Sequence, residues 1–159
     1  MSATLLVHAT AVAIGGRAVL LRGPSGSGKS DLALRLIDAG AELVSDDQSL
    51  LERRGDTVVV RAPPTIAGLI EVRGVGIVRL NRAAEATLAL VADLVAPEAV
   101  ERLPERRFAR ILDILIPLSQ IAPFEASAEA KLRLALRATS DAHLTHNCGL
   151  TRPDDGSRG

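Results

Sequence analysis

Gly23-Pro24-Ser25-Gly26-Ser27-Gly28-Lys29-Ser30 decides how this chain folds, because it fits G-x-x-x-x-G-K-[S/T] at every specified position. Phosphate groups need several main-chain N–H groups turned inward, and the φ/ψ values that achieve this belong mainly to glycine. A helix starting at the end of the loop adds its free N-terminal N–H groups and its dipole. In such a loop Lys29 meets the β- and γ-phosphates as a point charge, and the Ser30 hydroxyl ligates Mg²⁺. Gly23, Pro24, Ser25, Gly26, Ser27, Gly28, Lys29 and Ser30 are therefore the predicted nucleotide-binding set, and ATP with Mg²⁺ the predicted cofactors. The flanks agree with this reading. Residues 18–21 are apolar and strand-like, and residues 31–39 carry apolar side chains at helical spacing, with Gly40 as the predicted C′ residue.

Outward from the loop, residues 5–14 and 18–21 read as a β-hairpin punctuated by Gly15-Gly16. Leu43-Val44 is a short strand ending at Asp46-Asp47. Residues 49–53 and 57–61 form a second hairpin around Arg54-Gly55-Asp56. Residues 62–76, with Pro63-Pro64 and three glycines, read as loop. Residues 77–80, 87–95 and 111–117 read as strands, and the charged, proline-bearing stretch 97–110 as a surface excursion. Residues 127–137 form an amphipathic helix with Leu132, Leu134, Ala135 and Leu136 as candidate core residues. The expected architecture is α/β: a P-loop core with a mostly β sheet, β-hairpins and a C-terminal helix. One domain is expected over residues 1–139, followed by a disordered tail over 140–159.

Composition narrows the function classes. Apolar residues make up 47% and charged residues 24% of the 159, enough to build a core and against disorder. The two aromatic residues are Phe108 and Phe124, so the core must be aliphatic, and stacking platforms for single-stranded nucleic acid are absent. The formal net charge is zero, made up on the basic side of seventeen Arg and two Lys, Lys29 and Lys131, so no basic footprint for nucleic acid stands out. The lone Cys148 has no intrachain disulfide partner and no metal-ligand spacing around it. The chain shows no signal peptide and no apolar run long enough to span a bilayer, so a cytoplasmic protein without membrane contact is expected.

A Mg²⁺–nucleotide site needs carboxylate near the metal, and Asp46-Asp47 comes one helix and one strand after the loop. There, one carboxylate could take the proton of an attacking hydroxyl and the other hold the metal or its waters. On an extended backbone the two would point to opposite sides. Further along, Leu69-Ile70-Glu71-Val72-Arg73-Gly74-Val75-Gly76-Ile77-Val78 sets a Glu and an Arg inside an apolar run. By itself this is compatible with an edge strand carrying a bulge.

Taken together, GPSGSGKS, ELVSDD and EVRGVGIV resemble the catalytic domain of HPr kinase/phosphorylase. That family joins a Walker loop, a strand ending in Asp-Asp and the signature E-[I/V]-R-G-[L/V]-G-[I/V]-[I/V], in this order and at similar spacing. The resemblance runs from about Val7 to Thr139 and looks like the short proteobacterial form without the N-terminal domain. It implies that Asp46 is the catalytic aspartate, Asp47 its acidic neighbour at the metal, and Glu71 a second Mg²⁺-binding carboxylate. It also implies that Arg73 belongs to the catalytic segment, and that His8 matches a histidine hydrogen-bonded to the catalytic aspartate. The implied activity is transfer of phosphate from ATP to a serine of an HPr-type phosphocarrier protein, by a homo-oligomer that is hexameric in the family. Relatives carry an arginine in a Pro-rich loop before the C-terminal helix, which supports the reverse, phosphorolytic reaction. The matching stretch 116–124 has no basic residue here. Two other readings stay open at this point: a small-molecule kinase or NTPase on the same fold, and an ATP-sensing regulator without catalysis.

Overall fold

The computed structural model describes residues 3–140, so the expected tail beyond Ser140 lies outside the described residues. Three strands open the chain: β1 (Thr4–Val7), β2 (Ala9–Ile14) and β3 (Arg17–Arg22). The P-loop follows, then α1 (Lys29–Asp38), β4 (Glu42–Ser45), β5 (Ser49–Arg54) and β6 (Thr57–Arg61). Next come β7 (Leu69–Val72), β8 (Gly76–Arg79) and β9 (Ala86–Leu94). The hairpin of β10 (Arg107–Ile111) and β11 (Ile114–Ile121) leads into α2 (Ala128–Ser140).

Nine strands form one mixed sheet in the order β1-β5-β6-β9-β3-β2-β4, with β11 joined to β9 and β10 to β11. Strand β9 organises it. One edge of β9 runs parallel to β3, and the other is shared between β6, antiparallel near Thr87, and β11, parallel from Val91 to Leu94. The alternation of a strand then divides the core in two. On β3, Val19 and Leu21 face the helices, where Leu32 and Leu36 of α1 and Leu132 and Leu136 of α2 cover them. Ala18 and Leu20 face the other way, into a second cluster with Leu51, Val58, Val60 and Ile116, as the sheet curls over itself. Each fully buried Leu in these clusters contributes about 1.5–3 kcal/mol relative to exposure, which is how a chain with two aromatic residues closes its core. No helix among the described residues is long and apolar enough to cross a membrane.

Several expectations need correction. Residues 5–14 are not one strand. The chain bends at His8, so β1 pairs with β5 while β2 lies between β3 and β4. An apolar run carries no record of a change of partner. Within 62–76, Leu69–Val72 pairs with Gly76–Arg79 as a separate two-stranded hairpin; Gly74 (φ 88°) and Gly76 (φ 117°) serve its turn. The predicted strand 111–117 contains the β10–β11 turn at Leu112 (φ 50°) and Asp113 (φ 66°), a left-handed pair without glycine to announce it. Residues 107–110 of the supposed excursion belong to β10. Leu134 is exposed, not core. The end of α1 follows expectation: Gly40 N–H bonds to Ile37 O and Ala41 N–H to Leu36 O, the paired bonds of a Schellman motif, with Gly40 at φ 114°.

Candidate active site

The site stands at the end of the sheet where β3 and β4, both antiparallel to β2 and so parallel to each other, come to their C-termini. Ligands of open α/β sheets collect at this end of the strands. β3 runs directly into the glycine-rich loop. Gly26 (φ 81°) and Gly28 (φ 104°) adopt backbone that L side chains rarely reach. Ser27 N–H closes a tight turn onto Pro24 O at 3.0 Å. Gly28 is the N-cap residue of α1, and no side chain caps that helix. Its first N–H groups are therefore free for an anion, with the helix dipole behind them.

Lys29 is buried, and its Nζ donates to Gly23 O at 2.7 Å and Pro24 O at 3.1 Å. An ammonium has three donors, so one remains beyond these two carbonyls. Ser27 Oγ is buried and without a partner, and a Cβ built on Gly23 would stand 2.5 Å from it. A side chain at position 23 would force the Ser27 hydroxyl to turn away and would press on Ser27 Cβ at 3.1 Å. Arg22, the last residue of β3, makes a bidentate pair with Asp93 of β9 at 2.7 and 3.1 Å, tying the loop's entry to the neighbouring strand.

Asp46 closes the opposite wall. It is buried, and its carboxylate accepts three hydrogen bonds. Ser30 Oγ donates to Oδ1 at 2.6 Å, Thr10 Oγ1 donates to Oδ1 at 3.2 Å, and the Glu71 N–H donates to Oδ2 at 3.1 Å. One carboxylate therefore joins β2, the first turn of α1 and the β7–β8 hairpin. An ionised carboxylate offers about four lone-pair sites, so one stays open for a further proton donor. Thr10 also accepts the Asp47 N–H at 2.9 Å, which fixes the turn after β4.

The neighbouring acid behaves differently. Asp47 sits at φ 67°, so the backbone is not extended there. The two carboxylates diverge because of this left-handed residue, not through strand alternation. Asp47 Oδ1 pairs with His8 Nε2 at 2.6 Å, both side chains about half exposed. His8 was expected to hydrogen-bond Asp46; its partner in the structure is Asp47, because the bend between β1 and β2 aims it past the buried acid. Glu71 reaches Asp46 through its main chain, and its side chain lies on an exposed position of β7. Arg73 is exposed in the β7–β8 turn and is not among the partners of Asp46. Among the described residues, no group of three or more His, Cys, Asp or Glu gathers closely enough to hold a metal by itself. The structure thus brings together Lys29, Ser30 and Asp46, and sets Asp47, His8, Arg73 and the Glu71 carboxylate around them at other positions.

Sequence reasoning missed Thr10 and the Arg22–Asp93 pair. Thr10 left a signal, as the one hydroxyl inside the otherwise apolar run 9–13. Arg22 and Asp93 are 71 residues apart and left none.

A family model described as the HPr Serine kinase C-terminal domain matches residues 1–126. The chain belongs to that family. It is 43% identical over 72 residues to the HPr kinase/phosphorylase of Mycoplasmopsis pulmonis, which is 45% of this chain and 23% of that protein. It is 43% identical over 81 residues to the HPr kinase/phosphorylase of Halalkalibacterium halodurans, 50% of this chain and 26% of that one. The chain thus spans about a quarter of the length of the curated relatives it matches. Among solved structures, the Hpr(Ser) kinase/phosphatase from Coxiella burnetii matches with a TM-score of 0.76 at 25% identity, over 90% of this chain and 99% of that one. The curled mixed sheet with its C-terminal helix is the HPr kinase fold.

Proposed function

We propose that this domain transfers the γ-phosphate of ATP to a serine hydroxyl of an HPr-type phosphocarrier protein. The observation that carries the reading is the 2.6 Å bond from Ser30 Oγ to Asp46 Oδ1. It puts a buried carboxylate against the first turn of the helix that closes the phosphate loop. Phosphoryl transfer is mostly positioning and charge stabilisation, and these residues supply both.

The roles follow from the contacts. The open N-terminus of α1 and the remaining Lys29 donor bind the phosphate tail. Asp46, aimed by Thr10 and the Glu71 N–H, accepts the proton of the attacking serine through its open lone pair. The serine Oγ–P bond forms as the bond from the γ-phosphorus to its bridging oxygen breaks, and ADP leaves. The residues also suit Mg²⁺, a hard cation that takes oxygen ligands, with one or two carboxylates beside waters and phosphate oxygens. While it donates to Asp46, the Ser30 hydroxyl keeps an oxygen lone pair that would hold such an ion beside waters and phosphate oxygens, and when bound the ion would neutralise charge on those oxygens. Asp47, held by His8, shapes the turn that carries Asp46.

The reverse reaction needs a seat for inorganic phosphate as nucleophile. Residues 116–124 offer no cation, and the nearby Arg35 is engaged with Asp31 and with Pro123 O. The open N-terminus of α1 and Lys29 still offer an anion seat, so the activity proposed is the kinase direction, and phosphorolysis is compatible with the same site. The test is transfer of labelled phosphate from ATP to HPr-type protein, with the modified residue mapped by mass spectrometry. The expected result is a phosphoserine with wild type and none with Asp46→Asn, at similar ATP affinity. Wild type that binds ATP but leaves the acceptor unlabelled would refute the reading.

A further inference from the structure

Phe124 is one of two aromatic side chains in the chain, and 69% of it is exposed. Its position is defined. A Cβ built on Gly28 would lie 2.9 Å from Phe124 Cζ and 3.2 Å from Cε1, so the tip of the ring rests on the last glycine of the phosphate loop. The segment that carries it is fastened to α1: Arg35 donates to Pro123 O, and Asp31 holds the same guanidinium at 3.1 Å. Most of an apolar ring is thus presented to solvent beside the loop that grips the phosphates.

The direction of a bound nucleotide follows from the sheet order. The loop leaves β3, which lies between β2 and β9. On the β2–β4 side stand Thr10 and Asp46, where the γ-phosphate must be if Asp46 takes the acceptor's proton. A linear triphosphate in the loop then carries its nucleoside out on the opposite side, where β9 and β11 end. Phe124 follows by three residues the end of β11, which lies beside β9, and its ring rests on Gly28. We propose that Phe124 is the stacking surface for the base of the bound nucleotide, and that Gly28 lacks a side chain partly to seat the ring. The inference rests on the kinase reading above, because the γ-phosphate's side is set by Asp46.

Stacking on a π face predicts a loss confined to ligands that carry a base. Calorimetry would compare Mg·ATP with Mg·tripolyphosphate on wild type, Phe124→Ala and Phe124→Leu. Both variants should weaken ATP by about tenfold or more and leave tripolyphosphate within a factor of about two, because removing the ring leaves the loop's phosphate donors in place. Phe124→Leu keeps an apolar contact on Gly28 without a π face, so its failure to rescue ATP separates stacking from packing. Phe124→Trp would be the single tryptophan of the chain; its emission should change with ATP and not with tripolyphosphate. Variants that bind ATP like wild type would overturn the stacking role and leave the phosphate site standing. A wild type that takes up neither ligand would overturn the kinase reading and this proposal with it.

Discussion

Thr10→Val isolates the hydrogen bonds that aim Asp46, because the replacement keeps shape and removes only the hydroxyl. Thr10 is fully buried. Valine fills the same space, so no cavity opens. What is lost is the 3.2 Å donor to Asp46 Oδ1 and the 2.9 Å acceptor for the Asp47 N–H. Asp46 keeps its bonds from Ser30 and the Glu71 N–H, so losing its longest contact is the smaller term. The Asp47 N–H is left facing a methyl group; Asp47 is exposed and the bond part-buried, so water can reach the donor and the cost lies at the low end, about 1 kcal/mol. The expected destabilisation is about 1 kcal/mol, which for a domain of this size lowers the melting temperature by about 2–4 °C. Thr10→Ser gives the converse: both hydrogen bonds stay and one methyl goes, at about 1 kcal/mol. Phosphotransfer should separate the two variants more sharply than stability does. Valine frees the turn that aims Asp46, and misplacement of a catalytic group by about 1 Å can cost about a hundredfold in rate. A reduction of about tenfold to a hundredfold is therefore expected for valine, with serine near wild type. Urea melts paired with transfer rates measure both. A valine variant as stable and active as wild type, or a serine variant equally impaired, refutes the positioning role.

Three other perturbations have defined outcomes. Gly28→Ala places a side chain at φ 104° and within 3.2 Å of Pro123 Cβ; a cost of about 1–3 kcal/mol in backbone strain is expected, read as an earlier thermal midpoint with weaker ATP uptake. Asp113→Gly relieves the left-handed φ of 66° in the β10–β11 turn and should stabilise by about 0.5–1 kcal/mol, so an unchanged or lower urea midpoint would contradict the turn assignment. At the surface, the Arg54 guanidinium bonds Glu85 at 2.7 Å and holds its carboxyl below the ordinary value of 4.5. A lowered folded value means this contribution is whole above pH 4.5 and fades as the pH falls through the lowered value. The gap in melting temperature between wild type and Glu85→Gln should thus hold steady from neutral pH to about pH 5 and close in more acid solution, and a gap independent of pH would argue against the pairing.

The parts legible in the sequence are those governed by neighbours in the chain. The P-loop, its helix and the Gly40 stop, the Gly15-Gly16 turn and the β5–β6 hairpin all follow from glycine placement and side-chain period. What stayed hidden depends on distant partners. Strands β1 and β2 read as one because hydrophobicity cannot say that β1 joins β5 while β2 inserts between β3 and β4. The β10–β11 turn was hard to read because Leu112 takes positive φ against its preference and Asp113, a residue type that tolerates it, is not followed by the glycine that usually marks such a turn. At the site, Ser30 and Asp46 were legible as types in order. The sharing of one carboxylate by β2, α1 and β7 was not, since it depends on the curl that brings Glu71 N–H within 3.1 Å of Asp46.

That sharing also explains why Asp46→Asn is a suitable catalytic probe and Asp46→Ala is not. The Glu71 N–H is a fixed donor and needs an oxygen opposite it. An asparagine can turn its carbonyl there and its amide towards Ser30 Oγ and Thr10 Oγ1, because hydroxyls accept as well as donate. The oxygens facing the side chain are then bonded, although the Ser30 and Thr10 hydroxyl protons must turn to other acceptors, and the capacity to take a proton is gone. Alanine leaves three donors facing a void, and the unpaired Glu71 N–H would loosen the β7–β8 hairpin from the sheet. The carboxylate's architectural duty can thus be met by a neutral amide while its chemical duty cannot, so fold and phosphotransfer are separable at a single side chain.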